Sequence, residues 1–268
     1  LFRSFEQSSF AKLLVQGRDA QKVLNRVATA DMSMPVGKVA YTQFLNRRGG
    51  VDADLPITRL AEDQFMVVTA AFTQTHVHAW IEENIGDDFC VITDVTGAYS
   101  MLNIQGPNSR ALLNEVSSAD FSTGAFPFGT MQRVEIGYQH AYAVRISYAG
   151  ELGWELYVPT EMTLPVYDRL VEAGATHGLR HCGYHTLNTL RIEKAYREWA
   201  HDMGPLDTLL ECGLGFTCAW DKPGGFIGRE ALLAQKEDGT LKRRLVQFLL
   251  DDPEPMLTHN EPILRDGE

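Results

Sequence analysis

Cysteine is scarce in this chain and follows no pattern. Only four of the 268 residues are cysteines (Cys90, Cys182, Cys212 and Cys218), and no two of them form a C-x-x-C pair. A disulfide framework is typical of small secreted domains that cannot build a large core, and a chain of this length does not need one. We therefore predict free thiols in a reducing compartment, and both the bacterial cytoplasm and the mitochondrial matrix fit that expectation.

The chain also lacks an excess of positive charge and any long apolar run. Lys and Arg number 24 against 35 Asp and Glu, which gives a net charge of −11. A surface of this sign repels nucleic-acid phosphates and anionic lipid headgroups, so neither a nucleic acid nor a membrane is expected as a partner. No stretch approaches the roughly 18 apolar residues that a membrane-spanning helix needs.

Glycine and histidine occur in suggestive places, but they complete no cofactor or metal motif. Residues 213–218 (GLGFTC) lack the third glycine and the strand–turn–helix context of a dinucleotide loop, so no flavin or nicotinamide site is predicted within this chain. His76 and His78 diverge on a predicted helix, and no carboxylate or cysteine completes a set around His181 and His185. We predict no metal site.

The chain does have many short strands and amphipathic helices. Period-two patterns predict strands at residues 10–16, 39–45, 51–60, 64–69, 90–94, 99–105, 131–136, 141–147, 154–159 and 245–250. Helical spacing predicts helices at residues 19–27, 72–85, from 107 onward, 162–177 and 185–197, the first of them capped by Asp19. Because hairpin links outnumber helical crossovers, the predicted fold class is α+β, with mainly antiparallel sheets and flanking helices.

Two carboxylates follow a tight glycine turn in one predicted hairpin. In residues 49–55 (GGVDADL), alternation places Asp52 and Asp54 on the face opposite the apolar side chains. A solvated face is the plainer interpretation of this pair. The functional alternative is a carboxylate held on a rigid strand, able to take a proton from an amine or to stabilise a cation.

A single charged residue interrupts a strongly apolar predicted strand. Glu155 stands between Trp154 and Leu156, and an outward-facing position is again the plainer interpretation. A carboxylate beside aromatic rings also suits a planar ligand that offers two parallel N–H donors, such as the 2-amino-4-oxo ring of a pterin. Tyr148 and Trp154 can supply flat walls for such a ring.

A third charged segment, residues 190–199 (LRIEKAYREW), has the pattern of an amphipathic helix end. Taken alone, its charges are expected to make solvated pairs three or four residues apart.

Together these segments resemble the glycine-cleavage T-protein (aminomethyltransferase) superfamily. Within it, the chain is most similar to the folate-binding portion of dimethylglycine and sarcosine dehydrogenases and dimethylglycine oxidase. Five stretches carry the resemblance, in the family's order and across nearly the whole chain: residues 5–12 (FEQSSFAK), 49–55 (GGVDADL), 148–155 (YAGELGWE), 190–199 (LRIEKAYREW) and 226–232 (FIGREAL).

The resemblance implies a three-lobed, cloverleaf-like fold with folate in its central channel. Residues 1–12 and 105–240 would form a discontinuous first lobe, and residues 13–104 the second. Residues 241–268 would begin a truncated C-terminal β-barrel lobe.

The resemblance also implies roles for four residues. By position, Asp54 matches the family's catalytic aspartate, while Tyr41 and Tyr148 match residues of the folate pocket. Glu155 matches the carboxylate that binds the pterin. The implied cofactor is tetrahydrofolate, and FAD is expected only in a separate domain outside this chain.

The implied reaction captures a one-carbon unit as 5,10-methylenetetrahydrofolate after oxidative demethylation of an N-methyl glycine. Folate, the one-carbon donor and a flavin oxidoreductase domain or subunit are the expected partners. Two alternatives stay open: a stand-alone aminomethyltransferase of the glycine cleavage system, and a non-catalytic regulatory subunit with the folate fold. Leu187, where aminomethyltransferases carry an arginine that helps hold folate, argues against the first. The joint presence of Asp54, Tyr148 and Glu155 argues against the second.

Overall fold

A computed structural model describes residues 2–239, 241–258 and 261–266. Its strands are β1 (Phe2–Glu6), β2 (Ala11–Gln16), β3 (Val39–Leu45), β4 (Val51–Ala61), β5 (Gln64–Thr69), β6 (Val91–Asp94), β7 (Tyr99–Gln105), β8 (Met131–Ile136), β9 (Gln139–Val144), β10 (Gly153–Pro159) and β11 (Leu179–His181). Its α-helices are α1 (Ala20–Val27), α2 (Gln74–Glu83), α3 (Ser109–Val116), α4 (Thr163–His177), α5 (Tyr184–Glu193) and α6 (Arg229–Glu237).

A five-stranded antiparallel sheet is formed by the strands in the order β3-β4-β5-β2-β6. One face of this sheet packs against α1 and α2. Along β4, Ala53, Leu55 and Ile57 are almost completely buried in that core. Since successive strand residues point to opposite faces, Asp54 lies on the face turned away from the helices.

A six-stranded sheet has the order β11-β1-β7-β10-β9-β8, antiparallel except where β1 and β11 run parallel. One of its faces packs against α3 and α4 around the fully buried Trp154. Alternation therefore directs Glu155 to the opposite face of this sheet, just as it directs Asp54 in the other.

The two remaining sheet faces meet in a shared apolar cluster, which we call the inter-sheet layer. It contains Met66 and Val68 of the five-stranded sheet, together with Met101, Val144 and Tyr157 of the six-stranded sheet. Tyr157 lies two residues from Glu155 on the same face. Val39, packed against the same layer, lies two residues from Tyr41. The sheet face that carries Tyr41 and the sheet face that carries Glu155 therefore both border the inter-sheet layer.

The α+β class with mainly antiparallel sheets is confirmed, and the described residues contain no closed barrel. The lobe boundaries at residues 12/13, 104/105 and 240/241 stay predictions, and residues 1, 240, 259–260 and 267–268 lie outside the described residues. No helix in the described ranges is both long and apolar enough to cross a bilayer.

Some local predictions are wrong for identifiable reasons. Residues 245–250 form no strand, and their side chains are exposed. Within this segment only the N–H of Leu245 donates to a backbone carbonyl, that of Glu211 at 2.9 Å, so no second strand pairs with it. Asp19 does precede α1, but its carboxylate accepts the N–H of Phe89 (2.8 Å) and does not cap the helix. Strand β11 was not predicted, since three residues are too short to show alternation.

Gly50 permits close approach of the β3–β4 hairpin to the loop at Pro205. A Cβ atom on Gly50 would lie 2.0 Å from the carbonyl oxygen of Pro205 and 2.6 Å from Nδ2 of Asn46. We therefore expect Gly50→Ala to lower the free energy of unfolding by about 1–3 kcal/mol, as forced overpacking does. Urea denaturation is the measurement. Gly97→Ala is the matched control, because a Cβ there meets nothing within 4 Å, and equal effects of the two substitutions would contradict the prediction.

Candidate functional site

Asp54 is an enclosed carboxylate held by neighbouring side chains. It faces Gln43 across the β3–β4 ladder, and Nε2 of Gln43 donates to Oδ1 of Asp54 at 2.7 Å. Burial raises the pKa of Asp54 to about 6, while hydrogen bonding from Gln43 and Tyr41 and the charge of Arg197 act in the opposite direction. Loss of hydration therefore outweighs the donors that favour the ionised form.

We call the surroundings of Asp54, Gln43 and Tyr41 the Asp54 recess. Asp54 is partly exposed to solvent, although burial raises its pKa. The same holds for Tyr41, which is 41% exposed and whose phenol pKa is also raised by burial. The plainer interpretation, a solvated strand face, is thus wrong for Asp54.

The loop at residues 213–217 orients the hydrogen-bond donor of Asp54. The hydroxyl of Thr217 donates to Oε1 of Gln43 at 2.5 Å, which leaves Nε2 of Gln43 directed at Asp54. This loop contains a single 3₁₀ turn, Gly215–Thr217. Its local form is therefore not the strand–turn–helix of a dinucleotide loop, and its polar contact supports the carboxylate instead.

Tyr148 lies at the same recess. Its hydroxyl donates to the carbonyl of Arg197 at 2.9 Å, and its ring stacks on Tyr196 with centroids 6.4 Å apart. Burial raises the pKa of Tyr148, and the charge of Asp54 contributes in the same direction. Three of the four residues singled out from the sequence, Tyr41, Asp54 and Tyr148, are therefore brought together.

Glu155 is buried on the facing sheet and is short of hydrogen-bond donors. The side chain is only 5% exposed, and the hydroxyl of Tyr157 donates to Oε2 at 2.7 Å. Within the described residues its other oxygen accepts no hydrogen bond. Burial raises its pKa to about 7, with Tyr157 opposing that shift. One step along the same face, Oε1 of Gln105 is buried and also lacks a partner.

These two acceptors fit the hydrogen-bonding edge of a pterin. A pterin presents parallel N–H donors at that edge, and a buried carboxylate that lacks donors is stabilised by hydrogen bonds from them. The pterin-binding role that the resemblance implies for Glu155 is compatible with these free acceptor positions and stays a prediction.

Glu155 and Asp54 do not touch. Val144 pairs with Glu155 in the ladder, and four residues later the charge of Asp54 helps to raise the pKa of Tyr148. That one ligand contacts both carboxylates is therefore a proposal.

Trp154 does not line this site. The ring is fully buried on the helix side of the six-stranded sheet, where Phe121 meets it edge-on at 5.2 Å. The prediction of a Trp154 wall is wrong, since residues 154 and 155 must point to opposite faces of one strand.

Asp52 is separate from Asp54 as well. The β3–β4 register shifts between Phe44 and Leu45, so Asp52 has no ladder partner. Its Oδ2 atom lies 3.2 Å from Nε2 of His76, and the residue is buried.

Arg191 of α5 forms a partly buried network with residues beyond the helix, so the prediction of solvated pairs is wrong for Arg191 and Glu198. Helix α5 ends at Glu193, four residues before the predicted end at Arg197. Arg191 is 4% exposed and pairs with Glu198 at 2.9 Å and with Asp202. No group of three His, Cys, Asp or Glu side chains in the described ranges is placed to hold a metal ion.

Comparison with known proteins assigns the family. Residues 3–222 match the family model described as the GCVT N-terminal domain, and the chain belongs to that family. The resemblance inferred from the sequence is thereby confirmed.

Its relatives are considerably longer proteins. The chain is 42% identical to 4-methylaminobutanoate oxidase (formaldehyde-forming) of Paenarthrobacter nicotinovorans, over 98% of this chain and 32% of that protein. It is 39% identical to human mitochondrial sarcosine dehydrogenase, over 98% of this chain and 30% of that protein. The chain thus spans about a third of their length.

A solved structure shares the fold. The glycine cleavage system aminomethyltransferase T from Bartonella henselae superposes with a TM-score of 0.78 at 24% identity, covering 88% of this chain and 63% of that one. At this identity the likeness concerns the fold alone.

The raised pKa of Glu155 predicts a pH-dependent effect on stability. The folded protein binds this proton more tightly than the unfolded chain, so the stabilisation is complete below the unfolded pKa and is lost as pH rises through about 7. Glu155→Gln should therefore stabilise the ligand-free protein at pH 8 by up to about 3 kcal/mol more than at pH 5. Urea denaturation at the two pH values measures this. The exposed Glu83→Gln controls for loss of one negative charge, and an equal effect of Glu155→Gln at both pH values would refute the expectation.

Proposed function

We propose that this chain is the tetrahydrofolate-binding, one-carbon transfer domain of an enzyme of the sarcosine/dimethylglycine dehydrogenase type. Its product would be 5,10-methylenetetrahydrofolate, formed from the one-carbon unit released by oxidative demethylation of an N-methyl glycine. Family membership supports an aminomethyltransferase-like domain. The observation that carries the specific chemistry is Asp54, an accessible carboxylate on a rigid strand whose pKa is raised to about 6.

Asp54 would serve as the base. When bound, tetrahydrofolate supplies the amine nitrogens that receive the one-carbon unit. With a pKa of about 6, Asp54 is mostly ionised near pH 7.5 yet binds a proton more readily than a solvated aspartate. The same negative charge would stabilise an iminium cation nearby. Gln43 keeps the carboxylate in place through its 2.7 Å hydrogen bond.

Glu155 would bind the pterin edge, with Tyr41 and Tyr148 as pocket walls. The two carboxylates thus take different roles because their surroundings differ. Glu155 is only 5% exposed on the inter-sheet face, whereas Asp54 is more exposed.

A flavin oxidoreductase domain or subunit would be the partner. Oxidation of an N-methyl amine to an iminium removes two electrons, and carboxylates, amides and phenols cannot accept them. FAD would therefore lie in a separate domain. Either the bacterial cytoplasm or the mitochondrial matrix would suit such an assembly.

Replacement of Asp54 tests its role as a base. Asp54→Asn keeps the shape and the contact with Gln43 but removes the proton acceptor. We expect folate-dependent turnover to fall about 10²–10⁴-fold, while tetrahydrofolate affinity changes only a few-fold. The measurements are steady-state product formation and calorimetric titration. Asp52→Asn, on the same strand, is the control and should retain turnover, and turnover within a few-fold of wild type in Asp54→Asn would rule out this role.

The pH dependence of folate binding tests the role of Glu155. Because pterin N–H donors favour the ionised carboxylate, affinity should decline as pH falls below about 7, by at most tenfold per pH unit. Glu155→Gln should bind more weakly at pH 8 and show a flatter pH profile, whereas Asp54→Asn should keep the decline. A wild-type affinity that is unchanged between pH 8 and pH 5.5 would argue against a pterin on Glu155.

Two assays separate this proposal from its alternatives. Lipoyl-dependent glycine cleavage by the purified chain would indicate a stand-alone aminomethyltransferase. Failure to bind tetrahydrofolate would favour the non-catalytic regulatory subunit.

A further inference from the structure

Arg197 is held firmly beside the recess of Asp54. Its carbonyl accepts the hydroxyl of Tyr148, and Trp199, two residues on, donates its indole N–H to the carbonyl of Val51 at 2.8 Å. Val51 begins the strand that carries Asp54. The backbone around Arg197 is therefore tied both to the loop of Tyr148 and to β4.

The guanidinium of Arg197 is only partly used by the protein. Nε donates to the carbonyl of Cys212 at 3.0 Å, and Nη1 donates to the carbonyl of Ala195 at 2.9 Å. Within the described ranges no acceptor contacts Nη2, and no carboxylate lies within ion-pair distance of Arg197. A Cβ atom on Gly213 would lie 3.0 Å from Nη2, so the glycine there leaves the group its room.

The backbone near Arg197 is strained. Ala195 and Ala200 have φ angles of 54° and 73°, in the left-handed region that alanine rarely adopts. Strain of this kind persists where the surrounding contacts enforce it, and it is concentrated at ligand sites. Here it accompanies a cation whose charge also lowers the pKa of Asp54.

We infer that Arg197 binds a carboxylate of a small-molecule ligand in this recess, and that the carboxylate belongs to the amino acid that donates the one-carbon unit. The cationic nitrogen of such a zwitterion would face Asp54, and its carboxylate would face the free edge of the guanidinium. Arg197 would thus select donors that carry an acid group over simple methylamines. The inference rests on the proposed function and adds to it the residue that recognises the acid group of the donor.

Charge considerations favour this assignment. The chain carries a net charge of −11, which opposes the approach of any anion. A fixed guanidinium with an unused donor offsets that repulsion locally, and charge-assisted bonds to a planar guanidinium suit a carboxylate. A second source of the same chemistry is the glutamyl group of folate, so the experiment must separate the two.

Calorimetric titration of the tetrahydrofolate-saturated protein provides the test. N-methylglycine and glycine carry the acid group, whereas dimethylamine does not. Arg197→Met should weaken binding of the two acids about 10- to 100-fold and leave dimethylamine within about twofold. Arg197→Lys, which keeps the charge without the fork, should lose less. Arg48→Met, an exposed arginine on the hairpin turn, should change nothing.

Separate titrations with tetrahydrofolate and with tetrahydropteroate, which lacks the glutamyl group, identify the source of the carboxylate. If Arg197→Met weakens only tetrahydrofolate and spares N-methylglycine, the carboxylate is that of folate and the donor assignment is overturned. Equal losses for acids and amine, or no loss for any ligand, overturn the carboxylate site itself. If the wild type binds no tetrahydrofolate, the proposed function fails, and titration of N-methylglycine into the folate-free protein still tests Arg197.

Discussion

The cost of ionising two carboxylates away from water is the constraint on which this site depends. Burial raises the pKa of Asp54 to about 6 and that of Glu155 to about 7, although each accepts at least one hydrogen bond. A protein that needed only stability would place neutral groups there. In the proposed function, the bound ligand would supply the hydrogen bonds that the protein itself does not give to these two acids.

The fold creates this constraint by turning two sheets toward each other. Each sheet covers one face with its own pair of helices, so its second face must find another partner. The apolar parts of those second faces pack in the inter-sheet layer, while the polar parts lie at its border. Gln43, Tyr41 and Asp54 come from β3 and β4, and Glu155 comes from β10 of the other sheet. Each side chain is therefore positioned by a strand, which is more rigid than a loop.

Local pattern was sufficient to predict most of the strands and to draw attention to the carboxylates. Alternation along residues 49–55 and the single charge within β10 marked Asp52, Asp54 and Glu155 as candidates. The family resemblance, not the pattern, favoured Asp54 over Asp52. The same alternation should have excluded Trp154 from the site. Residues 245–250 show the limit of pattern, since an apolar run becomes a strand only when another strand pairs with it.

Long-range contacts could not be predicted in this way. The donor of Asp54 is oriented by Thr217, which lies 174 residues from Gln43 in sequence. Arg191 pairs with residues beyond the end of its own helix, so rules for helical spacing assigned its charge to solvent. Helical spacing placed Arg197 on a helix that in fact ends at Glu193. No local sequence pattern predicts the turn at Ala195.

A crystal structure of the protein with bound tetrahydrofolate would test the central claim most directly. One ligand molecule should span the border of the inter-sheet layer, with the pterin N–H edge on Glu155 and the nitrogens that receive the one-carbon unit facing Asp54. A folate bound elsewhere, or one that reaches Glu155 while Asp54 faces a region closed off from it, would contradict the account.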